Sequence, residues 1–445
     1  MSSLENERRK YVELYEDPDG RYPDPAGYGA RNWGKAAEFE MDLLQPSSLV
    51  DVGCGQGHFC VEMAKRGVAV HGVDFASVRT SSVLDCRHVL WHDADACNLP
   101  IDDEAVEYVT SFDVLEHCRE KDIPCVLGEF DRVSTKGAVL KIAFRQARER
   151  SFQGEYLHMT VRKRRWWLRK IRQRFPHIMV RKGVITALKK KVDVPLVVFG
   201  ISANLGFAVG TALIGIKQRN PDWNFRCLVL HNGLNERDRK AMTKVHPASA
   251  FLHYTPPAKA RLLFGENSAM RFSRFEMYRF LSLFRHVVWL DADIIPVGAF
   301  DDVLSFSDET GIAMRRGWVL WKNFRAKQRA SLGTYDLNTQ GYNDGVVVVS
   351  DRLPCHSVVS DWCLKAVERW CGVVTGAQAI HMLMIQHFGL EVNALPPKYN
   401  CKRKRFDPAA RIVHFSGIRN PWSRRKRYPL WGALHDEWQE VLRSV

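Results

Sequence analysis

The sequence predicts an α/β protein of two domains, each built on a mostly parallel sheet flanked by helices. Three observations carry this reading. Short apolar runs ("SLVDVG", "AVHGVD", "VEYVTSFD", "AVLKIAF") alternate with segments of helical period, the pattern of strands and helices wound into an open sheet. After Lys191 the alternation starts afresh with "VPLVVFG", "FRCLVLHNG", "HVVWLDADI" and "GVVVVS". The length, 445 residues, also exceeds what a single core ordinarily organises. The boundary is expected near 191–193, which gives domains 1–191 and 192–445.

Elements in the first half follow in order. "LVDVGCGQGHF" is a strand that runs into a glycine turn and opens a helix, with Asp51 at the strand end. Gly53, Gly55 and Gly57 permit positive φ and allow a ligand close to the backbone. The next strand, "GVDFAS", ends on Asp74, seventeen residues after Gly57, where a carboxylate can accept both ribose hydroxyls. "DADACNLP" and "VTSFDVLEHC" each mark a further strand end. Four successive strand ends therefore bring polar groups to one edge of the sheet, where open α/β sheets bind ligands.

With these stretches in place, residues 30–190 resemble the class I S-adenosylmethionine-dependent methyltransferases, one kind of Rossmann-like fold. The matching motifs are "DVGCGQG", "VD" at 73–74, "DACNLP" at 95–100, "FDVLEH" at 112–117 and "EFDRVSTKGAVLKIA". The resemblance implies that Asp51 and the three glycines line the methionine side of S-adenosyl-L-methionine. It implies that Asp74 holds the ribose, that Asp95 and Ala96 hold the adenine edge, and that Asp113 faces the methionine moiety or the acceptor. The G-x-G-x-G spacing departs from the G-x-G-x-x-G of nicotinamide sites, which argues against a dehydrogenase. Methyl transfer to a hydroxyl benefits from a base, for which His117 and His158 are the candidates, each weighed against a structural role. A helix-capping role stands beside the ligand role for Asp113.

The segment joining the halves is strongly basic. No Asp or Glu occurs from Tyr156 to Val192, while thirteen Lys and Arg lie between Arg162 and Lys191, and this accounts for most of the net charge of +15. Such a cluster suits an anionic surface or phosphates, and a solvated domain junction is the equal alternative. "RRWWLRKIRQRFPHIMVRKGVITALKKK" reads as a basic helix and then one strand closing the first domain.

The second half opens with "VPLVVFGISANLGFAVGTALIGI", uncharged and long enough to cross a bilayer. Pro195, Ser202, Asn204 and four glycines break it into a strand, a turn and a helix of small residues, so no transmembrane segment is expected. "SRFEMYRFLSLFRH" reads as an amphipathic helix with Arg279 near its middle, leading into "VVWLDADIIPV". There the strand ends on Asp291 and Asp293, placed on one side of the backbone by alternation. Two buried like charges are expensive unless a cation or partner offsets them. "RIVHFSGIRNPW" puts His414 at the end of another apolar run, followed by Gly417 and Arg419. Two carboxylates and an imidazole suit Mn²⁺, or Mg²⁺ with more water, and leave positions open for phosphate oxygens.

Together with "GYNDGVVVVS" and "TGAQAIHML", these blocks resemble glycosyltransferase family eight over residues 193–425, retaining enzymes of the GT-A type with a Rossmann-like nucleotide-sugar fold. The resemblance implies a metal held by Asp291, Asp293 and His414. It also implies donor contacts from Asn204, Arg279, Asn343, Gly345, Gly417 and Arg419, and Gln378 beside the transferred sugar, with a UDP-hexose as the expected donor. The chain departs from that pattern at Ala377 and Asn420, where the family carries Asp and Lys, and at Asn204, where an acid is expected.

The combined expectation is a bifunctional enzyme that methylates and glycosylates a glycan or glycolipid acceptor. One alternative is a methyltransferase with a non-catalytic second domain that binds glycan or nucleotide. Another is a nucleic-acid methyltransferase using the basic junction, although no RNA-binding motif accompanies Trp166 and Trp167, so no obligate nucleic acid is expected. The eleven cysteines lack C-x-x-C or zinc spacing, and the N-terminal stretch lacks the apolar core of a signal peptide. The expected setting is cytoplasmic, with 162–191 as the candidate contact to a membrane surface.

Overall fold

The computed structural model describes residues 3–16, 33–76, 86–147, 150–151, 153–318, 320–325, 330–333, 335–402, 407–415, 420–423 and 428–445. The chain divides into two compact units, Met1–Lys191 and Val192–Val445. Both sheets are Rossmann-like, and each unit buries its own apolar cluster.

In the first unit the strands are β1 (Ser48–Val52), β2 (Ala69–Asp74), β3 (Val89–Asp93), β4 (Val106–Phe112), β5 (Ser134–Lys141), β6 (His177–Arg181) and β7 (Val184–Leu188). They lie in the order 3-2-1-4-5-7-6. Pairing from β3 through β5 is parallel, while β7 runs antiparallel to β5. The order reverses beside β1, and such a point opens a crevice at the C-terminal strand ends. Val50, Val109 and Leu140 pack there against Phe130 of the helix Ile123–Val133 and Trp167 of the helix Arg164–Arg172.

The basic segment differs from its expected form. It closes the unit with a hairpin rather than one strand, because Lys182 (φ 46°) and Gly183 (φ 86°) make a two-residue turn with both φ positive. Part of its charge is used within the unit. Arg181 forms a two-pronged pair with the buried Glu40 at 2.7 and 2.9 Å, Lys189 meets Asp131, and Arg162 meets Glu120.

The second unit begins with β8 (Leu196–Ile201), β9 (Arg226–His231), β10 (Ser249–His253) and β11 (His286–Leu290), all parallel. β14 (Tyr342–Ser350) and β13 (Ile312–Arg316) add antiparallel strands, and β15 (Asn393–Ala394) completes the order 10-9-8-11-14-13-15. The order again reverses at β8, so β11 ends beside the crevice. A smaller sheet pairs β12 (Ile294–Pro296) with β17 (Ile412–His414) and β16 (Cys401–Lys402). The uncharged stretch after Val194 is strand β8, a short turn and the helix Gly206–Arg219, and among the described residues no helix is long and apolar enough to cross a membrane.

The segment before β11 is a 3₁₀ run from Met270 to Ser282 rather than an α-helix. Within it Phe272, Phe275, Tyr278 and Leu281 recur every three positions, and all four are buried. Side chains three apart eclipse in a 3₁₀ helix, so this spacing gives one continuous buried ridge.

Candidate functional site

The first unit's crevice is a cavity of about 1240 Å³ at the C-terminal ends of β1, β2 and β4. Gly53, Gly55 and Gly57 all have positive φ (75°, 52° and 81°), which a residue with a Cβ adopts only under strain. A Cβ at Gly55 would also lie 2.7 Å from Tyr15 Oη, so the cradle depends on the missing side chain. Gly53 and Cys54 donate their N–H groups to Val73 O, which ties the loop to the end of β2.

Asp74 is buried and accepts the N–H of Gly55 at Oδ2 and of Ala76 at Oδ1, both at 2.8 Å. Asp51, deeper in the wall, accepts from Thr110 Oγ1 at 2.7 Å, and burial raises it to about 7. Asp95 and Ala96 line the cavity past β3, where Asp95 Oδ1 accepts the N–H of Cys97. Asp113 ends β4 in the left-handed region (φ 54°) and is paired with Lys141 Nζ at 2.6 Å.

His117 and His158 also face this cavity, with ring centroids 4.8 Å apart in an edge contact. His117 Nδ1 lies 2.7 Å from Tyr11 Oη and 3.1 Å from Leu157 O. Burial, reinforced by the neighbouring His158, lowers His117 to about 3, so it is neutral and a weak base. Glu116, fully buried, was not among the candidates. Burial and the nearby Asp113 raise it to about 8.

In the second unit β11 delivers Asp291, and the antiparallel partnership of Ile294 with His414 brings β17 beside Asp293. His414 Nε2 lies 3.5 Å from Asp291 Oδ2 and 3.3 Å from Asp293 Oδ1. A Cβ on Gly345 would sit 2.0 Å from the His414 ring, so this glycine makes room for the imidazole. Burial opposes charge here, but the bonds to Asp291 and Asp293 outweigh it and raise His414 to about 10.

Arg274 completes the charge balance and was missed by the sequence reading. Its guanidinium, buried, reaches Asp291 Oδ1 at 2.8 Å and Asp344 Oδ2 at 2.6 Å. Trp289 Nε1 donates to the same Asp291 oxygen at 2.7 Å. Burial alone would raise Asp291; Arg274 and His414 instead hold it well below the usual carboxylate range. Arg279, the expected donor ligand, is engaged elsewhere, by Glu276 at 2.8 Å and Asp361 at 2.5 Å. Five steps along a 3₁₀ helix turn a side chain well away from the first, so Arg274 and not Arg279 meets the acids.

Behind His414 runs a series of amides. Its Nδ1 meets Asn400 Oδ1 at 3.0 Å, Asn400 meets Asn343 at 2.8 Å, Asn343 meets Gln378 at 3.3 Å, and Gln378 meets Asn323 at 3.1 Å. Asn400 and Asn323 were not anticipated. Asn204 stands at the end of β8, where its side chain accepts from Ser202 Oγ at 2.7 Å. Gly417 and Arg419 lie outside the described residues.

Residues 50–142 match the family model described as a methyltransferase domain. No curated protein matches the chain. Among solved structures, the galactosyltransferase LgtC in complex with donor and acceptor sugar analogues is 18% identical, covering 56% of this chain and 96% of its own, with a TM-score of 0.44. The bifunctional glycosyltransferase WbbM is 14% identical over 56% of this chain and 51% of its own, with a TM-score of 0.42. A 1,6-didemethyltoxoflavin-N1-methyltransferase from Burkholderia thailandensis is 15% identical over 42% of this chain and 89% of its own, with a TM-score of 0.34.

Proposed function

We propose that the chain is a transferase with two active sites, one that methylates from S-adenosylmethionine and one that transfers a sugar from a nucleotide sugar in a metal-dependent reaction. The observation that carries the second activity is the convergence of Asp291, Asp293 and His414, with ligand atoms all within 4.8 Å of one another. Asn400 takes the Nδ1 side of His414, which leaves Nε2 toward the two carboxylates. The donor set fits Mn²⁺ or Mg²⁺.

Bound there, the cation would supply Lewis-acid stabilisation of a leaving nucleoside diphosphate. The chain's own residues prepare the site. Arg274 keeps Asp291 ionised, and Gly345 lets the imidazole reach it. Gln378, fixed between Asn343 and Asn323, is the third amide of the same hydrogen-bonded series, in the place proposed for the transferred sugar. A UDP-hexose donor and a glycan acceptor are the proposed substrates.

In the first unit the positive-φ glycines form a cradle that a Cβ would fill, and Asp74, held by the N–H groups of Gly55 and Ala76, lines the cavity where the ribose hydroxyls would sit. S-adenosylmethionine would supply an electrophilic methyl group. The chain positions both partners, and alignment contributes much of the rate in such a displacement.

The test is mass spectrometry of the purified protein with Mn²⁺ and a panel of nucleotide sugars, scored by release of the nucleotide. Release that stops with a chelator is expected. Undiminished release in excess chelator rules out the metal-dependent reading. Ala377, standing where an acid is usual, favours a second reading in which this unit binds donor without turnover; tight UDP-sugar binding with no release would establish it.

A further inference from the structure

Three side chains beside the methyl-transfer cavity have a chemistry that cofactor binding does not use. Glu116 and His117 lie on a single 3₁₀ turn, Leu115–His117, immediately after β4. His158 comes from a distant stretch that is pinned to that turn. The N–H groups of Met159 and Thr160 both donate to Glu116 O at 2.9 Å, and Thr160 Oγ1 donates to Cys118 O at 2.7 Å. One ligand atom from each of Glu116, His117 and His158 lies within 4.8 Å of the other two.

The hydrogen bonds behind these groups fix which atoms face inward. Leu157 O lies 3.1 Å from His117 Nδ1, and Arg145 O lies 2.7 Å from His158 Nδ1. A carbonyl only accepts, so the His158 contact places that ring's proton on Nδ1 and leaves its Nε2 as a lone pair. His117 Nδ1 also lies 2.7 Å from Tyr11 Oη, a hydroxyl that can donate or accept. Glu116 Oε1 is satisfied by the N–H of Ala143 at 2.7 Å. Its Oε2 has no hydrogen-bond partner among the described residues, although the side chain is fully buried. Two imidazoles and a buried carboxyl group whose Oε2 finds no partner thus converge, with one ligand atom of each within 4.8 Å of the others. Such a convergence is costly by itself and favourable around a cation.

We propose that Glu116, His117 and His158 form a second divalent-metal site, which takes a first-row transition cation such as Zn²⁺ and opens onto the methyl-transfer cavity. Two nitrogens and one carboxylate oxygen leave coordination positions vacant, as catalytic rather than structural sites do. His117 and His158 both line the cavity, so those positions face it. The chemical class of ligand is an acceptor bearing a hydroxyl, held by its oxygen against the metal. This role for the acceptor rests on the methyl-transfer reading, whereas the metal site itself does not. Asp113, three residues before Glu116, is engaged by Lys141.

The experiment uses the full chain carrying Asp293→Ala and His414→Ala, so that the other cluster contributes no binding. After chelation and dialysis, this protein is titrated with Zn²⁺ by calorimetry, and S-adenosylmethionine binding is measured on the same sample. One equivalent of Zn²⁺ is expected. His158→Asn and, separately, the near-isosteric Glu116→Gln should weaken it at least tenfold while S-adenosylmethionine still binds, which also shows that the variants are folded. No Zn²⁺ uptake by the doubly substituted protein, or equal uptake by a folded His158→Asn protein, overturns the site. Zn²⁺ uptake that depends on His158 without any S-adenosylmethionine binding supports the site and removes the methyl-transfer reading instead.

Discussion

The two units answer the same problem, a carboxylate at the end of a parallel strand, in different ways. In the first, Asp74 is stabilised by backbone N–H groups of Gly55 and Ala76. Backbone donors at the lining of a cavity suit an acid that faces the hydroxyls of a nucleoside. In the second, Asp291 is stabilised by the Arg274 guanidinium, the Trp289 indole and the His414 ring. Charged donors in a buried setting hold the acid ionised, and one of them, His414, is a group that gives up its proton to a metal. A backbone-held acid is a receptor for hydrogen bonds; an ion-paired acid is a receptor for cations.

The largest test of that contrast is to remove the metal receptor. Asp293→Ala or His414→Ala should lower nucleotide-sugar turnover by about 10²–10³-fold, the usual cost of losing a group that stabilises developing charge. S-adenosylmethionine affinity, read on the same protein by calorimetry, should not change. A parallel fall in both would mean that the two sites are not separate.

Next in size is Arg274→Met. It leaves Asp291 and Asp344 buried without their shared cation, and breaking a buried pair from one side costs about 3–5 kcal/mol. Denaturant unfolding should show the loss in the second unit only. The equivalent change at Arg279 should be small, because its partners Glu276 and Asp361 are a near neighbour and an exposed acid.

Asp74→Ala tests the other half of the comparison. Loss of a charged acceptor should weaken S-adenosylmethionine by about 1.5–3 kcal/mol. Asp74→Asn should recover part of it, since its amide oxygen can still accept from Gly55 or Ala76. Equal affinity for wild type and Asp74→Ala would detach the ribose from this residue.

How much of this could be read from the chain alone follows from what each residue leans on. The glycine loop, Asp74, the Asp291–Asp293 pair and His414 all end apolar runs, so local pattern exposes them. Arg274, Asn400 and Asp344 owe their roles to partners brought together by the sheet, such as Arg274 with Asp344, 70 positions apart. No local period marks them. Two misses had a readable signal. "FSRFEMYRFL" repeats its large apolar residues every three positions, which argues for a 3₁₀ helix and would have favoured Arg274 over Arg279. "VRKGV" carries a glycine in a two-residue turn between β runs, the mark of a hairpin.

The last expected effect concerns acid. Burial lowers His231 and His246 to about 4, and His231 Nδ1 accepts N–H bonds from Gly233 and Leu234 that need its lone pair. Above the unfolded value near 6.5 both states are neutral and stability is fully present. As pH falls from there toward 4, the unfolded chain takes up protons that the folded unit refuses, and stability drops by on the order of 3 kcal/mol per histidine. Unfolding midpoints of the second unit between pH 7 and 4 should show this slope, and His246→Gln should flatten it. An unchanged slope in that variant would assign the acid sensitivity to carboxylates.

The amide series behind His414 has a direction. Each amide gives its NH₂ to the next one's oxygen: Asn400 to Asn343, Asn343 to Gln378, and Gln378 to Asn323. Asn323 Nδ2, at the end, is buried without a partner among the described residues. Turning one amide over would set oxygen against oxygen on one side and NH₂ against NH₂ on the other. The orientation of all four is therefore a single choice, made where Asn400 offers its oxygen to the imidazole. The position of one proton on a metal-facing ring is in this way written into the facing of a glutamine side chain three amides away, with no charge moved along the route.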